Sequence, residues 1–204
     1  EIFEDFLRFP QLRTALSELL AELADLRDIS RFQKDTEASS LWKLVNRLRE
    51  IDGYVNISFT DNGKRVQGES NVTYPKALGT IISSKKVPYT KGDTVADVTL
   101  RLLNAMNFTY QHTGTTKNGF YLASIGDFSL KGISYDSFGE FDAGSGSGWM
   151  ITLNKIFIEY GASDFEVKNG DTIKWQYTCQ LGADIGDPFY SGSSSSSSPV
   201  ASGK

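Results

Sequence analysis

The chain has 204 residues, with 21 Lys and Arg against 25 Asp and Glu, one His and one Cys. A net charge of −4 excludes a protein that holds nucleic acid by neutralising phosphates, since that mode needs surplus cations on one face, and Lys85-Lys86 is a pair rather than a patch. The lone Cys179 excludes an intramolecular disulfide and a thiolate cage, the lone His112 excludes His-pair zinc sites, and no run reaches the ~18 apolar residues of a membrane span.

The chain opens at Glu1 with no basic-then-apolar leader, so it reads as a piece of something longer that carries no signal peptide of its own. Residues 1–53 are expected to form a helical hairpin. Phe9, Leu12, Leu16, Leu19, Leu23 and Leu26 recur at steps of three and four, one stripe of a helix. A polar break precedes a second stripe of Leu41, Leu44, Val45, Leu48 and Ile51, with Ser39 and Ser40 as N-caps and Gly53 as the stop. The hairpin packs on itself or on a neighbouring domain; the alternative is an oligomer built through these helices.

From residue 54 the period changes to two, with Val55, Ile57 and Phe59 alternating with polar residues and Asp61-Asn62-Gly63-Lys64 as a hairpin-turn signal. Residues 54–79 are a strand and linker region. Thr80-Ile81-Ile82 and Val87-Pro88-Tyr89 read as short strands, the second at a sheet edge because of its proline. Thr94 and Asp97 have capping-box spacing, and Val95, Val98, Leu102 and Met106 then face one way on a helix that must cover a sheet. Short strands follow at 108–111, 120–125, 149–153, 157–160 and 165–167. The clearest is 172–179, where Ile173, Trp175, Tyr177 and Cys179 share one face after the Asn169-Gly170 turn. The expected fold class is therefore α+β, a β-grasp-like sheet with one main helix behind an N-terminal helical hairpin. Residues 80–190 form its principal domain, and residues 191–204 are a Ser-rich flexible tail.

Two segments carry a family resemblance. Glu140-Phe141-Asp142-Ala143-Gly144-Ser145-Gly146-Ser147-Gly148-Trp149-Met150, followed by Asn154 and Tyr160-Gly161-Ala162-Ser163, is one. Lys168-Asn169-Gly170-Asp171-Thr172-Ile173-Lys174-Trp175-Gln176-Tyr177-Thr178, closed by Leu181-Gly182-Ala183-Asp184-Ile185-Gly186, is the other. Together they resemble DUF4430, bacterial extracellular relatives of the transcobalamin and intrinsic-factor C-terminal domain. The resemblance implies a soluble-ligand-binding β-grasp fold on secreted or cell-wall-attached proteins. In the vertebrate relatives this domain closes over cobalamin from one side, opposite a helical barrel that 52 helical residues are too few to build. It also implies that Trp149 and the hairpin after it take the place of a Trp-bearing strand that approaches the corrinoid. Some relatives carry cysteines near Ala143 and Ala162, and alanine stands at both positions here.

The candidate ligand-binding residues are Trp149, Tyr121 and Tyr160, with Gly146 and Gly148 in the glycine-rich run. That run could present the Trp149 indole on a mobile rim, whereas alternation with Ile151 and Leu153 makes the same residue a core side chain. The glycines are not a phosphate cradle, because a strand rather than a helix follows them. Glu140 with Asp142, and Asp184 with Asp187, lack the spacing of a calcium loop and read as solvated carboxylates. Asn56, Asn71 and Asn107 each open an Asn-x-Ser/Thr triplet, a glycan acceptor in a eukaryotic secreted protein but of little meaning in a bacterial one. No nucleophile-and-base motif surrounds His112, so no catalytic residue, metal or resident cofactor is assigned. The expected function is a non-enzymatic extracellular or wall-attached module that binds a small molecule, corrinoid-like, or a glycan; the alternative is a structural or adhesive stalk domain.

Overall fold

The structure is a computed structural model that describes residues 50–69, 72–158 and 160–189. The expected helical hairpin and Ser-rich tail lie outside these residues, apart from the hairpin's last four positions, which include Ile51 and Gly53. Those two fall in strand β1 (Ile51–Asp61) rather than at a helix end. Asn169 explains the glycine: its Oδ1 accepts from the Tyr54 amide at 3.0 Å, and a Cβ on Gly53 would sit 2.5 Å from that oxygen.

β1 is the second strand of a five-stranded sheet ordered β2-β1-β10-β8-β9. The others are β2 (Gly79–Thr90), β10 (Thr172–Thr178), β8 (Gly148–Leu153) and β9 (Ile156–Phe157). β1 and β10 run parallel, with Phe59 beside Trp175, and the remaining pairs are antiparallel. Strict alternation puts Val55, Ile57 and Phe59 on the same face as Ile173, Trp175 and Tyr177, all 2% exposed or less. The expected short strands at 80–82 and 87–89 fuse into β2, which takes the sheet edge that Pro88 tolerates. Asp61-Asn62-Gly63-Lys64 does not reverse the chain into a neighbouring strand; residues 62–78 instead form a long connection between β1 and β2.

A second, three-stranded sheet is ordered β3-β4-β7 from β3 (Thr109–Thr115), β4 (Asn118–Gly126) and β7 (Phe138–Gly139). A small hairpin joins β5 (Phe128–Leu130) to β6 (Ile133–Tyr135). Helix α1 (Val95–Ala105) forms where the capping-box spacing places it and buries Val95, Val98, Leu102 and Leu103. It is fixed to the large sheet by the Trp175 indole N–H, which donates to Thr99 Oγ1 at 3.0 Å inside the core.

The α+β, β-grasp-like expectation is therefore corrected: the described residues are predominantly strand, with a single α-helix of 11 residues among them. The reason is the period. One segment among the described residues repeats every three to four, whereas nearly every other apolar run alternates by two and pairs with a neighbour. The helix start has a measurable consequence. Thr94 Oγ1 accepts from the Asp97 amide at 3.2 Å and donates to the Thr116 carbonyl at 2.7 Å, while Asp97 Oδ2 accepts from the Thr94 amide at 2.8 Å. Thr94→Ala is expected to lower stability by about 1–2 kcal/mol in a urea titration, with the slope unchanged.

The 62–78 connection is tied to the sheet end by one ion pair. Asp61 is fully buried, and its carboxylate takes both ends of the Arg65 guanidinium at 2.9 and 2.7 Å. The same carboxylate accepts from the Leu78 amide at 2.7 Å and the Gly63 amide at 3.2 Å. Arg65 donates in turn to the carbonyls of Tyr74 and Lys76 at 2.8 and 3.0 Å. Tyr74 and Leu78 then pack against the core.

Candidate functional site

The glycine-rich run is a short loop entering β8, held from several directions. Ser147 Oγ donates to the Gly144 carbonyl at 2.8 Å and accepts from the Ala143 amide at 3.1 Å. Tyr177 Oη lies 3.0 Å from the same Oγ and donates to the Gly139 carbonyl at 2.5 Å. From the 62–78 connection, Glu69 Oε1 accepts from the Ser145 amide at 2.8 Å, and this bond holds the carboxyl below its usual range. Gly144 has φ +118°, and a Cβ there would press on the Glu69 carboxyl carbon at 2.9 Å.

Trp149 stands under this loop as a core residue, 6% exposed. Its ring meets Phe59, Phe138 and Tyr177 edge-on at 5.4, 5.6 and 5.2 Å, and its N–H donates to the Phe138 carbonyl at 3.3 Å. Tyr121, by contrast, is 40% exposed, and its hydroxyl lies 3.7 Å from where a Gly148 Cβ would be. Partial burial and a hydrogen bond to the Glu140 carboxylate push the Tyr121 hydroxyl up to about 12. Gly146 bridges to Gln180, and its carbonyl accepts from the Leu181 amide at 2.9 Å. Tyr160 is 68% exposed on the segment that passes β4, where Ser163 Oγ accepts from the Phe120 amide at 3.2 Å. Ala143 and Ala162 are both buried.

Two residues absent from the sequence-based site flank the same loop. Phe141 donates its amide to the Ser147 carbonyl at 3.2 Å, Leu181 donates to Gly146, and each side chain is 59% exposed. Both have left-handed backbones, Phe141 at φ +68° and Leu181 at φ +51°. Among the described residues, the other non-glycine positions with positive φ are Asn107, Asp127, Lys131, Asn154 and Lys155, all polar. A bulky apolar residue in this region costs about 1–2 kcal/mol relative to glycine. The only sequence signal for these positions was an apolar residue set among polar and glycine neighbours, as in Glu140-Phe141-Asp142 and Gln180-Leu181-Gly182.

The rim is acidic as well as apolar. Glu69, Glu140 and Asp142 surround it, and burial raises the Asp142 carboxyl against the opposing effect of the Gly139 amide, which donates to it at 2.8 Å. Asp184 is engaged by the Thr178 hydroxyl and by the amides of Cys179 and Lys64. The Cys179 thiol, 2% exposed, is pushed up by burial against the Arg65 guanidinium 3.2 Å away. His112 stacks on Phe120, and among the described residues no group of three His, Cys, Asp or Glu is arranged to hold a metal. An open groove along α1, lined by Asp97, Leu100, Arg101, Asn104, Ala105 and Thr116, has its charges paired: Lys117 to Asp97 at 2.6 Å and Arg101 to Asp93 at 2.7 Å.

α1, the 144–148 loop, β8 and β10 all fall within one family match. Residues 92–179 match DUF4430. The family is described as a domain of unknown function, and its match ends two residues before Leu181. The sheet that receives β10 is completed from outside the match by β1 and β2. Among solved structures, a crystal structure of haptocorrin in complex with Cbi is similar at 13% identity and a TM-score of 0.36. That likeness covers 64% of this chain and 26% of haptocorrin, so the chain spans about a quarter of the haptocorrin length. No curated protein matches.

Proposed function

We propose that this chain is a non-enzymatic extracellular binding module whose rim of Tyr121, Phe141 and Leu181, set around residues 144–148, holds a small molecule or a glycan. The observation that carries this reading is the pair of exposed apolar side chains at Phe141 and Leu181, kept in left-handed backbone next to a loop braced by buried hydrogen bonds. Strain of this kind persists where the surroundings over-determine it, and it is drawn to ligand sites. The bracing supports a preorganised rim, because the loop loses little freedom when a ligand arrives. Trp149 then serves as the floor of the loop and does not touch the ligand.

A screen over corrinoids, haem and oligosaccharides, read by intrinsic fluorescence, tests the proposal. One class is expected to give a saturable response. Phe141→Gly and Leu181→Gly are each expected to abolish that response while raising stability by up to about 1 kcal/mol, as the left-handed backbone is relieved. Silence across all three classes would favour a structural or adhesive domain instead, and full binding by the doubly substituted chain would place the ligand away from Phe141 and Leu181.

A further inference from the structure

We propose that β3 is a dimerisation edge, through which two copies of this chain pair antiparallel about a two-fold axis at Gln111. β3 is the outer strand of the β3-β4-β7 sheet, and every residue along it is exposed except the half-buried Tyr110. An outer strand presents a row of backbone N–H and C=O groups to any other strand, and proteins usually guard such edges with charge, proline, bulges or shortness. The other edge strands here are guarded in those ways. β2 carries Lys85, Lys86 and Pro88; β9 and β7 have two residues each; β5 and β6 have three. β3 carries none of these devices over residues 109–113. Of the two irregularities in its pairing with β4, the one within residues 109–113 falls on β4, where Gln111 faces Ser124 and His112 faces Leu122, so the extra residue is Ala123; the other lies between Thr113 and Thr115. β3 stays regular until Gly114, whose φ is +68°.

The sequence of the strand identifies the occupant as a second copy. Thr109-Tyr110-Gln111-His112-Thr113 reads as its own complement about its centre. Antiparallel pairing there sets Thr109 opposite Thr113, Tyr110 opposite His112 and Gln111 opposite its symmetry mate, and Thr–Thr and ring–ring pairs are favourable across strands. Tyr110 and His112 already lie with ring centroids 5.9 Å apart on one face, so pairing extends that row into the second copy. A residue on a two-fold axis meets itself and must be uncharged. Glutamine satisfies this, because its amide both donates and accepts.

The test is sedimentation equilibrium on the full chain over a wide concentration range. The wild-type chain is expected to reach twice the monomer mass. Gln111→Lys and Gln111→Glu each place like charges at the axis and are expected to weaken the dimer several-fold, and an equimolar mixture of the two variants is expected to restore it. Circular dichroism matching the wild type shows that each variant is folded. A wild-type chain that stays monomeric overturns the proposal. So does a dimer unaffected by both substitutions, or a mixture that fails to recover.

Discussion

Replacing Asp61 by Ala is expected to lower the unfolding free energy by about 3–5 kcal/mol, read as the midpoint shift in a urea titration. The carboxylate is fully buried and takes four donors: both ends of Arg65 and the amides of Gly63 and Leu78. Alanine would leave a guanidinium that is 12% exposed with no counter-charge and two backbone donors without their acceptor. Asp61→Asn keeps an acceptor in place and is expected to cost less than Asp61→Ala. Because the ion pair anchors the connection that carries Glu69, Asp61→Ala is also expected to loosen the 144–148 loop. A loss under about 1 kcal/mol would mean that the pair behaves like an exposed one.

Trp149→Ala is the second large effect, an expected loss of about 3–5 kcal/mol from the cavity left between Phe59, Phe138 and Tyr177. This substitution separates two readings of one residue. A ligand-contacting indole on a rim could be removed with little change in stability, whereas a core indole could not. Near wild-type stability in Trp149→Ala, with binding lost, would move Trp149 from the floor of the site to its surface.

Elements whose information is local were legible in the sequence. Thr94 and Asp97 announced the start of α1 by spacing alone, Pro88 placed β2 at an edge, and alternation through Ile173, Trp175 and Tyr177 gave β10 and its buried face. Features set by distant partners were not legible. Ile51 and Gly53 looked like a helix end because the stripe before them repeats every three to four, but Asn169, more than 100 residues away, places them in a strand. Residues 64–79 looked like a polar loop or linker, and the Asp61–Arg65 pair that ties the connection between β1 and β2 to the sheet end left no local mark. The candidate site divided in the same way. Tyr121, Gly146 and Gly148 do gather at one loop, while Trp149 turned inward, since alternation with Ile151 and Leu153 outweighs the glycines before it. Phe141 and Leu181 were missed because a left-handed φ at a non-glycine residue leaves no mark in composition or period.

The most direct test of the rim is an amide NMR titration of the full chain with whichever corrinoid, haem or oligosaccharide the fluorescence screen returns. Shifts are expected at Tyr121, Glu140, Phe141, residues 144–148 and Leu181, with the Asp97 to Ala105 groove of α1 unmoved. Shifts confined to that groove, or spread along β2 with the rim silent, would contradict the account.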